Sequence, residues 1–180
     1  MITPTQILDY MVSQKIPYVP CITLADLNIY LTSLGRPTVD ESDITTARQI
    51  YIERVNRLAK IPKINSAVEK INRAPISING KTFDIDPESQ DNITRSISIF
   101  EALEADCISK GYEGMQWILS DNTRITVTKA ELISVYEAAG IRKTQTVIAG
   151  RMAKDFITAN QSIPTEILQI LNIDENCNPV

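Results

Sequence analysis

The densest group of acidic side chains lies between residues 84 and 91 and comprises Asp84, Asp86, Glu88 and Asp91. Paired carboxylates in a cleft can serve as general acid and base. Acids at alternate positions, with a central glycine and a distal glutamate, can bind calcium. This stretch has no glycine after Gly80 and runs into Pro87, a residue favoured in the first turn of a helix. Asp86 is therefore predicted to be the N-cap of a helix that starts at Pro87, with the other acids complementing the positive helix end.

Other residue types that could support catalysis or metal binding are scarce. The chain has no histidine, which removes the commonest general base and the commonest metal ligand. Cys21, Cys107 and Cys177 lie far apart and lack zinc-site spacing, so free thiols are expected, with Cys107 in the core. The sequence therefore predicts no catalytic residue, no cofactor and no metal, and a protein that is not an enzyme.

Two hairpins are predicted in the middle of the chain. Asn79-Gly80 joins two short alternating runs, and this dipeptide favours tight turns because both residues tolerate positive φ. A second pair of runs, 115–119 and 124–128, alternates apolar and polar residues around a polar turn. Trp117 lies in phase with the apolar positions of the second hairpin. It is therefore expected in the core, under the helix that Asp86 starts.

Helices are predicted around these hairpins. An apolar stripe from Ile93 to Cys107 predicts one helix, ending before Gly111. Thr128 and Glu131 form a capping-box pattern for the next helix, and Gly140 is expected as its left-handed cap. A further helix is predicted from about Arg142 to Ile157. Residues 161–180 are predicted to form a short helix followed by a tail that is either loose or ordered by a partner.

The N-terminal region is predicted to be helical, beginning with a helix near Thr3. The longest helical pattern in this region starts at the acidic segment 40–43. Its apolar positions recur at three- and four-residue intervals and include Ile44, Tyr51, Val55 and Leu58. Two interpretations stay open: the stripe packs on its own domain, or it forms a seam with a partner chain.

The central segment resembles a bacteriophage domain of unknown function found in tail, tail-fibre and fibre-assembly proteins. The resemblance is carried by Phe83-Asp84-Ile85-Asp86-Pro87-Glu88-Ser89 and by Trp117-Ile118-Leu119-Ser120-Asp121-Asn122, followed by Val127-Thr128 with Leu132. It covers residues 76–159. The resemblance implies a phage-encoded protein of the tail apparatus and assigns no catalytic residue.

These patterns together predict an α+β protein, in which a helical N-terminal part precedes a module of two β-hairpins packed with helices. The expected divisions are an attachment or oligomerisation region at 1–73, a tail-associated domain at 74–160 and a short helix with a tail at 161–180. The formal net charge of −4 argues against nucleic acid or an anionic membrane as a partner. No apolar run reaches membrane-spanning length.

The expected function is that of a non-enzymatic component of the virion tail, made in the host cytoplasm. It would act as an adaptor to fibre or baseplate proteins, with self-association in the particle left open. One alternative is a tail-fibre assembly chaperone that is absent from the virion. The other is a small DNA-binding regulator that uses Arg48, Arg54, Arg57 and Lys60, although acidic neighbours oppose this interpretation.

Overall fold

The structure is a computed structural model that describes residues 23–33, 35 and 37–180. Its helices are α1 Leu24–Ser33, α2 Glu41–Leu58, α3 Lys60–Arg73, α4 Pro87–Ser98, α5 Phe100–Ser109, α6 Lys129–Thr158 and α7 Thr165–Leu171. Its strands are β1 Ile76–Ile78, β2 Lys81–Phe83, β3 Gln116–Ile118 and β4 Arg124–Thr126. The predicted α+β class is confirmed. The helix expected near Thr3 and the thiol of Cys21 lie outside the described residues.

The chain divides into two compact units, one ending at Ala59 and the other running from Lys60 to Val180. The boundary predicted after residue 73 is wrong. Helix α3 belongs to the second unit, because it packs along α6 and buries Ile64 and Ala67 there. The apolar side chains of α3 therefore contribute to an internal core.

The first unit is built on α1 and α2. Leu27 and Leu31 of α1 form a small core with Val39, Ile44 and Ala47. The start of α2 is fixed by a capping box between Asp40 and Asp43. The Asn28 side chain fixes the connecting segment, because its amide donates to the Val39 carbonyl at 2.9 Å and its oxygen accepts from the Val39 N–H at 2.7 Å.

Both predicted hairpins are present in the second unit as separate two-stranded antiparallel sheets. Ile76 pairs with Phe83 in the first, and Asn79 and Gly80 have φ values of 50° and 76°, as a tight primed turn requires. Trp117 pairs with Ile125 in the second. The hairpins meet where the Ser120 N–H donates to the Thr82 carbonyl at 3.0 Å.

The helix predicted from Asp86 to Cys107 is instead two helices, α4 and α5, which meet at Ile99 with φ −121° and ψ 27°. The Ser98 hydroxyl donates to the Thr94 carbonyl at 2.9 Å. Such a bond competes with the backbone ladder and often bends a helix. Phe100 begins α5 and is buried, whereas Cys107 is only half-buried.

Helix α6 runs unbroken for 30 residues, so the prediction that Gly140 ends a helix is wrong. The first half of α6 buries Leu132, Val135 and Ala139 in a core with the hairpins and α4. The second half buries Ala149, Ala153 and Ile157 in another core with α3 and α7. Between the two halves, Arg142 donates to the carbonyls of Ala74 and Pro75. The helix continues through Gly140 because packing holds it on both sides.

The C-terminal segment is ordered within its own chain, which contradicts the expectation of a tail that is loose or ordered by a partner. Ile173 and Cys177 are buried in the core that contains α3 and α7. The Asp174 carboxylate accepts from the backbone N–H groups of Asn176 and Asn178, each at 2.8 Å. These bonds, first of all the one from Asn178, hold the pKa of Asp174 below its usual value. An isolated bridge between Ile173 and Pro179 closes the segment.

Candidate functional site

The acidic cluster is organised as a helix cap. Asp86 accepts hydrogen bonds from the N–H groups of Glu88 and Ser89 at 3.0 and 3.2 Å, and from the Ser89 hydroxyl at 2.7 Å. These bonds, the Ser89 hydroxyl first, lower the pKa of Asp86. Asp84 and Glu88 are exposed. No cluster of three potential metal ligands occurs within the described ranges.

Thr128 and Glu131 form the predicted capping box at the start of α6. The Thr128 N–H donates to Glu131 Oε2 at 2.8 Å, and the Glu131 N–H donates to the Thr128 hydroxyl at 3.2 Å. The sequence did not reveal the third member, Lys81 of β2, whose Nζ lies 2.5 Å from Glu131 Oε1. Lys81 is the main cause of the lowered pKa of Glu131. No local signal could find this pair, because its members are distant in sequence and meet only after folding.

Trp117 packs against the hairpin core, as predicted, but it is only partly buried. Its remaining surface lines a groove of about 530 Å³ between β3 and the α4–α5 junction. Ile99 and Ile118 border this groove and are exposed by 53% and 61%. Trp117 is therefore a structural residue with one accessible side.

The apolar stripe of α2 serves two roles along its length. Ile44 is buried in the first unit and Tyr51 packs partly against the same core. Val55 and Leu58 continue this face beyond the core and are 45% and 38% exposed. The Ile44 side chain is buried in the first unit, so the interpretation that the stripe packs on its own domain applies at this position. Val55 and Leu58 present an exposed apolar end.

A cationic groove of about 400 Å³ lies between α3, the start of α4 and α6. It is lined by Arg73, Lys143, Arg151 and Lys154, together with Glu69, which pairs with Arg73 at 2.8 Å. The helices approach closely here, because a Cβ added to Gly150 would lie 2.6 Å from Val68 Cγ2. No sequence pattern indicates this groove, since its cations come from two helices that meet only after folding.

A protein-family model with the description "Domain of unknown function (DUF4376)" matches residues 55–174. The chain belongs to the DUF4376 family. Searches of curated proteins and of solved structures found no match. The DUF4376 match covers all helices and strands from α3 to α7, and so includes both cores of the second unit.

The DUF4376 region separates the predicted site residues into two groups. Asp86, Pro87, Trp117, Thr128 and Glu131 lie inside it and build the hairpin core or cap its helices. Ile44 and Tyr51 precede it, whereas Val55 and Leu58 lie at its beginning. Within the described ranges, no helix of this DUF4376 protein is both long and apolar enough to cross a membrane.

Proposed function

We propose that the protein is a non-enzymatic structural component of a bacteriophage tail, an adaptor to fibre or baseplate proteins located in the virion. The resemblance of residues 76–159 to a domain of tail and tail-fibre proteins supports this role. The DUF4376 family carries no assigned function and leaves the role open.

The proposal rests on one observation: the residues that carry the resemblance have structural roles in the fold. Phe83 and Ile85 are buried, and Asp86 caps α4. Asp121 accepts from the Thr123 N–H at 2.8 Å and shapes the second hairpin turn. These residues are therefore used to build a scaffold. A scaffold of this kind supports a role in which the rest of the surface contacts other proteins.

The exposed end of the α2 stripe is the proposed attachment face for another tail protein. Val55 and Leu58 lie on one side of a helix whose earlier turns are anchored in the first unit. A groove on the partner can accept such a helix face through apolar contacts spaced by three or four residues. The buried half of the stripe would hold the exposed half in position.

Quantitative mass spectrometry of purified phage particles tests this role. The parent chain is expected at a fixed copy number per particle. Val55→Asp with Leu58→Asp is expected to reduce incorporation at least tenfold without lowering the melting temperature of the purified chain. Ile29→Asp is the matched control, because Ile29 is 70% exposed on α1 of the same unit.

Absence of the parent chain from particles would contradict the virion role and favour an assembly chaperone. Normal incorporation of the double variant would leave the virion role intact and remove the α2 face as its attachment site.

A further inference from the structure

Helix α6 carries apolar residues on two opposite sides, and on the outer side they alternate with polar and charged residues. One side is buried in the two cores of the second unit. The other side carries Ile133, Tyr136, Ile141, Ile148 and Met152, which are between 36% and 60% exposed. At 3.6 residues per turn, these positions centre on the side opposite the buried residues, with Tyr136 at the edge. Surface helices of globular proteins are normally polar on their outer side, so a second apolar face indicates a contact surface.

A hole lies in the middle of this outer face. Glu137, Gly140, Ile141 and Thr144 occupy positions i, i+3, i+4 and i+7, the arrangement that accepts one side chain from a facing helix. The hole is open because Gly140 has no side chain, and apart from its chain neighbours and the adjacent helix backbone no described atom lies within 4 Å of the position that a Cβ would take. Tyr136 and Gln145 border the same concavity.

We propose that this face joins two copies of the chain, with their α6 helices antiparallel about a two-fold axis at Thr144. Each residue then lies level with the residue that is equally distant from Thr144 on the second copy. Ile148 lies four positions after Thr144, and the hole is centred between three and four positions before it. Ile148 of each copy therefore inserts into the hole of the other. The surface is self-complementary, as a two-fold interface requires.

The charges on this face favour the antiparallel arrangement. Glu137 lies seven positions before Thr144 and Arg151 lies seven positions after it, and both are exposed. Arg151 stands at the margin between this face and the cationic groove. An antiparallel pair places Glu137 of each copy beside Arg151 of the other, twice by symmetry. A parallel pair would instead place Glu137 beside Glu137, and like charges disfavour that pairing. Antiparallel helix dipoles also attract.

A second copy fits this face better than a lipid surface. Glu137 lies near the centre of the apolar stripe and Asp155 follows Met152 at its end. Carboxylates at these positions oppose insertion into an anionic membrane. The proposal does not depend on the phage-tail role, because it follows from the shape and charge of α6 alone.

Sedimentation velocity of the full chain tests the proposal over concentrations from about 0.1 to about 300 µM. A single helix stripe makes an interface of modest size, so the dissociation constant is expected in the micromolar range. Ile148→Glu is expected to weaken the dimer at least tenfold. Ile170→Glu is the matched control and should change the dissociation constant by less than about twofold, because Ile170 is 45% exposed on α7.

Charge reversal tests the register. Glu137→Arg and Arg151→Glu should each weaken self-association, because each variant meets its own like charges. An equimolar mixture of the two variants should form a heterodimer, since one chain then presents two arginines and the other two glutamates. Melting temperatures close to that of the parent would establish that all variants are folded.

A parent chain that stays monomeric at every concentration would overturn the proposal, whatever other partner covers the face. A dimer that persists in Ile148→Glu would overturn it as well. A mixture of the two charge variants that fails to associate would overturn the antiparallel register.

Discussion

The two halves of α6 pack against their cores in different ways. The first half fills its core with branched side chains, Leu132 and Val135, which lie with Phe83 and Ile85 beneath the hairpins. The second half presents Ala149, Gly150 and Ala153 to α3 and lets the two helices approach closely. The contribution of α6 to the first core thus depends on side chains that fill volume, whereas its contact with α3 depends on small residues that let the large side chain of Ile64 approach. One helix therefore supplies large buried side chains at one end and mostly small ones at the other.

Removal of α3 is expected to reduce stability most, because it takes a whole helix away from the second core. The first core keeps all of its buried residues. A chain of residues 60–180 should be folded and should melt cooperatively, since it contains the whole second unit. A chain of residues 74–180 lacks Ile64 and Ala67 and leaves the small residues of α6 uncovered. We expect this shorter chain to bind a hydrophobic dye and to lose cooperative melting. Equal, cooperative melting of both chains would show that α3 contributes nothing to the core.

Large-to-small substitutions in the two cores test whether α6 couples them. Phe83→Ala should lower the free energy of unfolding by about 3–5 kcal/mol and Ile64→Ala by about 2–5 kcal/mol. Both side chains are fully buried. Trp117 is the only tryptophan and reports on the hairpin core, whereas circular dichroism reports on all helices.

If α6 couples the cores, fluorescence and circular dichroism should give the same midpoint in Ile64→Ala. A later fluorescence midpoint in that variant would show that the hairpin core unfolds independently.

The same substitution at two glycines of α6 should have opposite effects. Gly150→Ala should destabilise the chain by about 1–3 kcal/mol, because the new Cβ collides with Val68, whose branched side chain has little freedom in a helix. Gly140→Ala should stabilise it by about 0.5–1 kcal/mol, because this helical position faces open space. Urea denaturation below the dimer dissociation constant measures both.

Val68→Ala should recover part of the loss in Gly150→Ala, since it removes the colliding methyl groups. Equal changes in stability for Gly150→Ala and Gly140→Ala would contradict the close packing proposed for the second half of α6.

The most local effect is expected at the cap of α4, which lies at the hairpin end of the second unit. Asp86→Ala should cost about 0.5–2 kcal/mol, whereas Asp86→Asn should keep most of the cap. The folded-state pKa of Asp86 is lowered, so its charge contributes fully above the unfolded value of about 3.9 and is lost as the pH falls through the folded value. The stability difference between the parent and Asp86→Asn should therefore shrink below about pH 4. A difference that stays constant down to pH 2 would contradict a charged cap.

The turn and the helix caps could be predicted from the sequence. Asn79-Gly80 forms its turn, Asp86 caps α4 and Thr128 caps α6, because each depends on residues within a few positions. Trp117 was placed on the correct face by alternation. Its depth could not be predicted, since that depends on how closely α4 and α5 cover it.

Long-range packing decided the features that the sequence analysis missed. Gly140 would end an isolated helix, but contacts with both cores carry α6 through it. The boundary at Ala59 depends on the packing of α3 against α6, and the order of residues 172–180 depends on burial of Cys177. The outer face of α6 also escaped notice, because a helix that is apolar on two sides shows no simple amphipathic period.

Amide hydrogen exchange along α6 of the full chain tests whether α6 is one continuous helix. The two cores and the outer face all require this continuity. Helical bonds through Gly140 predict that the amides of residues 139–146 exchange as slowly as those in the rest of the helix interior. Fast exchange confined to residues 140–143, with protection on both sides, would contradict the account, since it would show two helices joined at Gly140.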